Sequence, residues 1–241
     1  MNFMQSQKMG SYLYQRYINA RVTMLTEKLK QSIQEKKAPI CADLSITLKD
    51  IPQEFKDYHY NYLGKGAKEA SYLIYMIGKE IIDNICDIAP LVIIPIENFE
   101  MLGVEGIHSY ISMVQYAKRK GMFVIGELSG RYPFGHIGAI DIDGKKEIVY
   151  QTDMVTVKPD LLGDEIFSLI EKCRAYDKAI LIEETEKFTE TKYVGIIKKE
   201  GTIHFVGETI TIHNIVSGWK QEKYKGQTVG EAAKLMLIEN L

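Results

Sequence analysis

The stretch GKEIIDNICDIAPLVIIPIENFEMLGVEGIHSYISMVQYAKRKGMFVIGE, residues Gly78–Glu127, decides the fold of this chain. Its apolar residues switch between the spacing of a helix and the continuous run of a buried strand. The elements that this pattern predicts are a helix over Ala67–Ile85, a strand over Leu91–Ile96, a helix over Val104–Lys120 and a strand over Met122–Gly126.

The same alternation continues on both sides of this stretch. Its further elements are strands over Pro39–Leu44, Met154–Val157 and Ala179–Ile182 and a helix over Asp164–Tyr176. Apolar strands that alternate with helices are typical of parallel βα units whose sheet is covered on both faces. The pattern therefore predicts an α/β fold in one domain over residues 1–241, as either a barrel or a doubly wound sheet.

The N-terminal residues 1–37 predict a helical extension that leads into this α/β domain. One apolar stripe at three-to-four spacing runs from Ser11 toward Lys37. The first part of the stripe is rich in tyrosine, with Tyr12, Tyr14 and Tyr17 close together. These rings pack either on the chain's own domain or on a partner chain.

The C-terminal residues 186–241 predict a divergent, β-rich part of the domain. Tyr193–Lys198 and Thr202–Val206 form a predicted hairpin, and Thr209–Val216 is a further β-rich run. A closing helix is predicted over Thr228–Glu239, where Thr228 and Glu231 have the spacing of a capping box.

The composition excludes several classes of protein. The chain has 241 residues and a net charge of −2, so no basic surface points to nucleic acid as a partner. Its three cysteines have no CxxC spacing, which argues against zinc sites and favours a reducing, cytoplasmic environment. No signal peptide or bilayer-spanning run is expected. We therefore expect no nucleic-acid or membrane partner and no cofactor.

Three blocks of the chain resemble the bacterial branch of the orotidine 5′-phosphate decarboxylase family. They are Leu25–Leu44, Gly78–Glu127 and Asp153–Thr185. Gly78–Glu127 is the most specific block, because it follows the family's strand, FE-x-x-G turn, helix and next strand without gaps. The resemblance implies a (β/α)8 TIM barrel, a lyase of pyrimidine metabolism, and a dimer whose active sites lie near the interface.

The positions that carry the family's chemistry differ in this chain. The resemblance places the family's first catalytic lysine on Ile93, and its Asp-x-Lys-x-x-Asp motif on Glu127, Ser129 and Tyr132. Without a lysine at Ser129, no general acid stands where the carbanion forms, and such help is typically worth about 10²–10⁴-fold. We therefore expect a degenerate member of the family without decarboxylase activity.

The family's ribose and phosphate contacts also lack close counterparts. The early aspartate that holds the ribose falls on Ser45, two residues after Asp43, and the serine of the family's T-S-N motif falls on Glu186. No Gly-rich turn of the kind that grips a phosphate follows Thr185. We therefore expect the last strands of the barrel to be rebuilt or the barrel to be incomplete.

Polar residues at the carboxyl ends of barrel strands line the ligand side of such a fold. The predicted catalytic residues are Glu127, Arg131 and Lys158, and the predicted ligand-binding residues are Asp43, Ser45, Ser129, Glu184 and Glu186. We expect Glu127, Arg131, Lys158 and Glu184 to form a polar pocket, which serves an altered ligand or is a relict ion-pair cluster. A metal site on His136 with Glu127 or Glu183 lacks paired-ligand spacing, so no metal is expected.

Three functions remain open from the sequence. The first is a ligand- or partner-binding protein without decarboxylase activity, which pairs with a second copy or with a paralogue. The second is an enzyme with altered lyase or isomerase chemistry on a small phosphorylated or carboxylated substrate, with Glu127 as the base. The third is orotidine 5′-phosphate decarboxylase activity that is retained through rearranged residues.

Overall fold

The computed structural model describes residues 24–128, 133–158, 160 and 163–241 of the chain. Its strands are β1 (Ile40–Asp43), β2 (Leu91–Pro95), β3 (Phe123–Glu127), β4 (Ile140–Ile142), β5 (Lys145–Glu147), β6 (Met154–Val157), β7 (Ala179–Glu183), β8 (Val194–Lys198), β9 (Thr202–Phe205) and β10 (Glu208–Asn214). Its helices are α1 (Met24–Lys36), α2 (Gln53–Leu63), α3 (Ala67–Ile85), α4 (Glu97–Glu100), α5 (Gly103–Arg119), α6 (Phe134–Ile137), α7 (Glu165–Tyr176), α8 (Ile215–Trp219) and α9 (Val229–Glu239).

Eight of these strands close into a barrel in the order β1, β10, β9, β8, β7, β6, β3 and β2. The barrel closes because β1 pairs in parallel with β2 on one side and with β10 on the other. Closure confirms the predicted barrel and excludes the doubly wound sheet, which would leave two open edges. The barrel is therefore complete in strand number.

The first five strands of the barrel are parallel and keep the βα pattern. All five residues of β2 are buried, because Leu91 and Ile93 point into the barrel while Val92 and Ile94 belong to the core under the helices. A strand that is covered on both faces needs a continuous apolar sequence, which is what the chain supplies here.

The last three strands are a meander instead of βα units. β8 is parallel to β7, β9 runs antiparallel to both of its neighbours, and β10 is again parallel to β1. The hairpin predicted from the sequence is therefore confirmed. Along β9, Ile203 and Phe205 are buried while Thr202 and His204 are partly exposed, which is the alternation of a sheet with one solvated face.

The helix α1 closes the end of the barrel where the parallel strands begin. Leu25, Leu29 and Ile33 pack on the barrel interior in one cluster with Met154 and Phe205. The carboxylate of Asp177, just after α7, accepts a hydrogen bond of 3.2 Å from the backbone N–H of Leu25. The apolar stripe predicted from Ser11 to Lys37 is observed over Met24–Lys36, whereas its earlier part lies outside the described residues.

The closing helix α9 packs beside α3 and completes the outer layer. Thr228 accepts from the backbone N–H of Glu231 and Glu231 accepts from that of Thr228, so the predicted capping box is confirmed. A side chain at Gly230 would place its Cβ 2.8 Å from the carbonyl oxygen of Glu80. Glycine at this position therefore permits the close approach of α9 to α3.

A two-stranded hairpin, β4–β5, protrudes between α6 and β6 and was not predicted from the sequence. Its turn uses Asp143 and Gly144 at φ values of 51° and 83°, as two-residue hairpin turns require. The side chains of Ile140 and Ile142 are about half exposed. The missed signal was the Asp-Gly pair between two short β-rich runs. None of the helices in the described part of the chain has the length and apolar character of a bilayer-spanning segment.

A buried aromatic cluster lies on the outer side of β3. His136 stacks on Tyr150 with ring centroids 4.1 Å apart and an interplanar angle of 5°, and Tyr110 meets His136 edge-on. A Cβ at Gly126 would lie 2.9 Å from the hydroxyl of Tyr110, so only glycine lets β3 carry these rings. Burial lowers the pKa of His136 from 6.5 to about 4.

Because His136 is neutral in the fold and its unfolded form binds a proton near pH 6.5, it contributes stability that is lost as the pH falls from 6.5 toward 4. We predict that lowering the pH from 7 to 4.5 reduces the unfolding free energy of His136→Phe by roughly 2 kcal/mol less than that of the wild type. Phenylalanine keeps the ring stack but has no group that binds a proton. Urea unfolding at both pH values measures this difference.

The control for this prediction is His108→Gln, at an exposed position on α5. It should keep the wild-type difference in unfolding free energy between the two pH values. A His136→Phe protein whose stability falls with pH as steeply as the wild type would contradict the prediction.

Candidate functional site

The carboxyl ends of β1, β3, β6 and β7 meet at one end of the barrel, which we call the mouth. Alternate residues of each strand face the interior, so Cys41, Ile125 and Leu181 lie in the interior cluster. The next inward positions along these strands are Asp43, Glu127 and Glu183, the last residues of β1, β3 and β7. Strand periodicity therefore places three carboxylates at the mouth.

Asp43 is held by two hydrogen bonds at the mouth. The hydroxyl of Ser45 donates to Oδ1 at 2.5 Å, and the amide of Asn214, at the end of β10, donates to Oδ2 at 3.3 Å. Burial raises the pKa of Asp43, and these hydrogen bonds offset only part of the effect. Asp43 is therefore oriented by its neighbours, and none of the cationic side chains in the described ranges forms an ion pair with it.

Glu127 is half-buried and lies among other charges. Its pKa is raised first by burial, then by the carboxylates of Asp43 and Glu97. The ammonium group of Lys158 acts in the opposite direction and lies 3.8 Å from the carboxylate of Glu183. The charges that act on Glu127 within the described chain are thus three carboxylates and one lysine.

An apolar side chain fills the barrel wall between Asp43 and Glu127. Ile93 pairs with Asp43 across β1 and β2, and it also pairs with Ile125 of β3. Its side chain is only 6% exposed and belongs to the interior cluster. The residue of β2 directly below the mouth is therefore apolar, and its side chain can neither donate a proton nor bind an anion.

Two known proteins with similar sequences are both orotidine 5′-phosphate decarboxylases. The orotidine 5′-phosphate decarboxylase of Clostridium perfringens is 24% identical over 159 residues, which are 66% of this chain and 52% of that protein. That of Clostridium kluyveri is 24% identical over 191 residues, which are 78% of this chain and 62% of that protein. This chain is similar in sequence to orotidine 5′-phosphate decarboxylases. It spans about half the length of the first of these relatives.

The fold of the chain is also similar to that of a solved structure. A solved structure of a candidate orotidine 5′-phosphate decarboxylase from Streptomyces avermitilis superposes with a TM-score of 0.50 at 13% identity. The superposition covers 68% of this chain and 54% of the other. No family model matches the chain.

Several of the predicted site residues lie together at the mouth of the barrel. Asp43 and Ser45 are hydrogen-bonded to each other, and the charges of Asp43 and Lys158 both act on Glu127. Ser129, Arg131 and Tyr132 fall outside the described residues.

Glu184 and Glu186 do not join this group. Glu184 forms an ion pair with Lys198 of β8, and Glu186 is exposed in the connection after β7. The reason is strand parity, because Leu181 and Glu183 point inward and Glu184 therefore points to the other side. Glu183 is the residue that approaches Lys158.

Two contributors to the mouth were missed by the sequence analysis. Asn214 donates to Asp43, and its side-chain oxygen accepts from the backbone N–H of Ser217 at the start of α8. Glu97 acts on Glu127 from the start of α4. Its sequence signal is its position directly after the predicted strand Leu91–Ile96, whereas Asn214 lies inside the predicted run Thr209–Val216 and had no signal of its own.

Glu127 and His136 are separated by the barrel wall. Glu127 faces the interior, whereas His136 stacks in the aromatic cluster behind Gly126, an outward-facing position of β3. Within the residues that the structure describes, no three histidine, cysteine or acidic side chains are arranged to hold a metal ion. The two side chains therefore do not lie where they could share a metal ion.

We predict that Glu127→Gln raises the melting temperature at pH 7 by roughly 1–3 °C. A carboxylate whose pKa is raised in the fold contributes stability below its ordinary pKa and loses it as the pH rises through the raised value. The amide removes this loss, so the gain should shrink when the pH is lowered toward 4. Differential scanning calorimetry across this range measures the effect.

Glu184→Gln is the matched control, because the pKa of Glu184 is lowered by its hydrogen bond to Lys198. Its amide variant should show no gain in melting temperature at pH 7. A melting temperature of Glu127→Gln below that of the wild type at pH 7 would contradict the prediction that ionised Glu127 destabilises the fold.

Proposed function

We propose that this chain is a decarboxylase-like barrel that does not decarboxylate orotidine 5′-monophosphate and instead binds a small cationic or hydrogen-bond-donating ligand at its mouth. The observation that carries the proposal is the charge of the mouth. Among the described residues, three carboxylates and one lysine act on Glu127, and that lysine lies 3.8 Å from Glu183.

This charge opposes the anionic substrate of the family. Orotidine 5′-monophosphate carries a carboxylate and a phosphate, and like charges at a partly desolvated site repel strongly. Ile93 stands where the resemblance places the family's lysine, so no ammonium group from β2 offsets this repulsion. A ligand with an ammonium group or several N–H donors satisfies the same carboxylates.

The reversed strand supports the proposal independently. In barrels of this type a phosphate is commonly held by the loops after the seventh and eighth strands. Here the seventh strand in chain order around the barrel is β9, which runs antiparallel, so the turn after it lies at the opposite end from the mouth. There the backbone N–H of Gly207 donates to Glu190 at 2.6 Å. One of the two loops that commonly bind phosphate in such barrels therefore lies away from the mouth.

The test has two arms on the purified full chain. In the first, the loss of orotidine 5′-monophosphate absorbance is followed, with the Clostridium perfringens enzyme as the positive control, and no turnover above background is expected. In the second, the melting temperature is measured with putrescine, uridine and uridine 5′-monophosphate. Because a ligand selective for the fold raises the melting temperature, we expect a rise with putrescine or uridine but not with the nucleotide.

The variant Asp43→Asn with Glu127→Gln should abolish the rise caused by putrescine. Turnover of orotidine 5′-monophosphate would overturn the proposal and support retained decarboxylase activity. A rise caused only by the anionic nucleotide would also overturn it.

One observation favours altered lyase or isomerase chemistry as a second candidate. The raised pKa of Glu127 suits a general base, and Lys158 lies near enough to stabilise a developing negative charge. This function requires a substrate that is turned over by the wild type, and whose turnover is lost in Glu127→Gln but partly kept in Glu127→Asp.

We also propose that the chain pairs with a second copy or a paralogue through α2. None of the residues of α2 is buried, and Tyr58 and Tyr62 are 62% and 77% exposed. Clustered exposed aromatic side chains typically mark a protein interface. Light scattering after size exclusion should give a dimer for the wild type and a monomer for Tyr58→Ser with Tyr62→Ser, whereas a monomeric wild type would exclude a homodimer.

A further inference from the structure

A groove of about 680 Å³ lies on the outer wall of the barrel, between α7 and the connection 184–193. Small-molecule sites typically occupy about 300–1,000 Å³, so the groove has the size of a ligand site. None of the residues that line it belongs to the mouth. It is therefore a second candidate site, separate from the decarboxylase-like one.

The groove exists because one helix is missing. The connection from β6 to β7 contains α7, which packs on the outer wall. The connection from β7 to β8, residues 184–193, is described throughout and contains no helix. The space beside α7 that a helix fills in a regular βα barrel is thus open.

The walls of the groove are apolar and aromatic. Ile166 and Ile170 of α7 face Phe188 of the connection and Val194 of β8. Phe167 borders the groove and is 63% exposed, which is unusual for a large apolar side chain. A ligand with an apolar ring or chain gains contact area on these side chains.

The charged residues of the groove are mostly basic. Arg174, Lys187 and Lys192 line it, against the single carboxylate of Asp164. Arg174 lies 3.4 Å from Glu171 and over the ring of Tyr193, which fixes one cation at the end of the groove. The balance of these charges favours an anion.

The hydroxyl of Tyr193 at the groove keeps its own hydrogen to donate. Tyr193 lines the groove and is only 8% exposed, and its oxygen has no hydrogen-bond partner of good geometry among the described residues. Burial raises the pKa of Tyr193, and the charge and side-chain hydrogen bonding of Arg174 offset only part of this effect. Because a guanidinium group can only donate, the Tyr193 hydroxyl can still donate its hydrogen to a ligand.

We propose that the groove binds an organic anion: an apolar body of one or two rings that carries a carboxylate, sulfonate or phosphate. The rings lie between Phe188 and α7, and the anion accepts hydrogen bonds from Lys187, Lys192 and the Tyr193 hydroxyl. The chain's own residues 1–23 fit less well, because they carry Lys8, Arg16 and Arg21 and no acidic residue.

The test uses 8-anilinonaphthalene-1-sulfonate as the probe and the full chain as the protein. Fluorescence titration should show saturable binding to the wild type. We expect Lys187→Ala with Lys192→Ala to weaken this binding roughly tenfold, since both charge-assisted hydrogen bonds to the sulfonate are lost but are partly screened by solvent at these exposed positions. Tyr193→Phe, which keeps the ring, should weaken it by roughly threefold or more.

Two controls separate the groove from general dye binding. Lys145→Ala with Lys146→Ala, at the exposed β5 strand, should bind the probe as the wild type does. N-phenyl-1-naphthylamine, which has the same rings without the sulfonate, should bind the wild type and the Lys187/Lys192 variant equally. Unchanged melting temperatures confirm that the variants are folded.

Equal affinity of the sulfonate probe for the wild type and the Lys187/Lys192 variant would overturn the proposal. The absence of probe binding to the full chain would also overturn the proposal, including the case in which residues 1–23 or a second copy of the chain fills the groove. Because the mouth is not varied, these outcomes are independent of the function proposed for it.

Discussion

The reversed direction of β9 is the constraint on which the rest of this structure depends. A barrel must pair every strand edge, and β1 and β7 present two edges that a meander of three strands closes. Because hairpin turns of a few residues join β8, β9 and β10, this half of the barrel needs no crossover helices. One reversed strand therefore replaces two βα connections.

Two properties of β9 and β10 follow from that replacement, and a third property belongs to the connection before them. The outer face of β9 and β10 is partly solvated, so its sequence alternates between apolar and polar residues. The connection from β7 to β8 has no helix, which opens the groove lined by Phe188 and Tyr193. The turn after β9 lies away from the mouth, so the mouth loses a backbone segment that related barrels use for phosphate.

The electrostatics of the mouth follow from a second physical rule, the alternation of side chains along a strand. Asp43, Glu127 and Glu183 share an inward direction with the apolar residues two positions earlier. They meet above Ile93, where burial raises the pKa of Asp43, and burial together with the neighbouring carboxylates raises the pKa of Glu127. The proposed preference for a cationic ligand rests on these carboxylates, because family likeness alone does not define the ligand of a site.

The sequence by itself determined the parallel strands and helices of the first part of the barrel, because these elements are specified by local patterns. Continuous apolar strands, amphipathic helices and the Thr228–Glu231 capping box are short-range signals, and each was found where the residues predicted it. Only the tertiary structure decided that β9 closes the barrel in reverse, that Glu183 and not Glu184 approaches Lys158, and that Asn214 reaches Asp43 from a strand 171 residues away. These outcomes depend on strand pairing and on side-chain direction between distant segments, which no local spacing encodes.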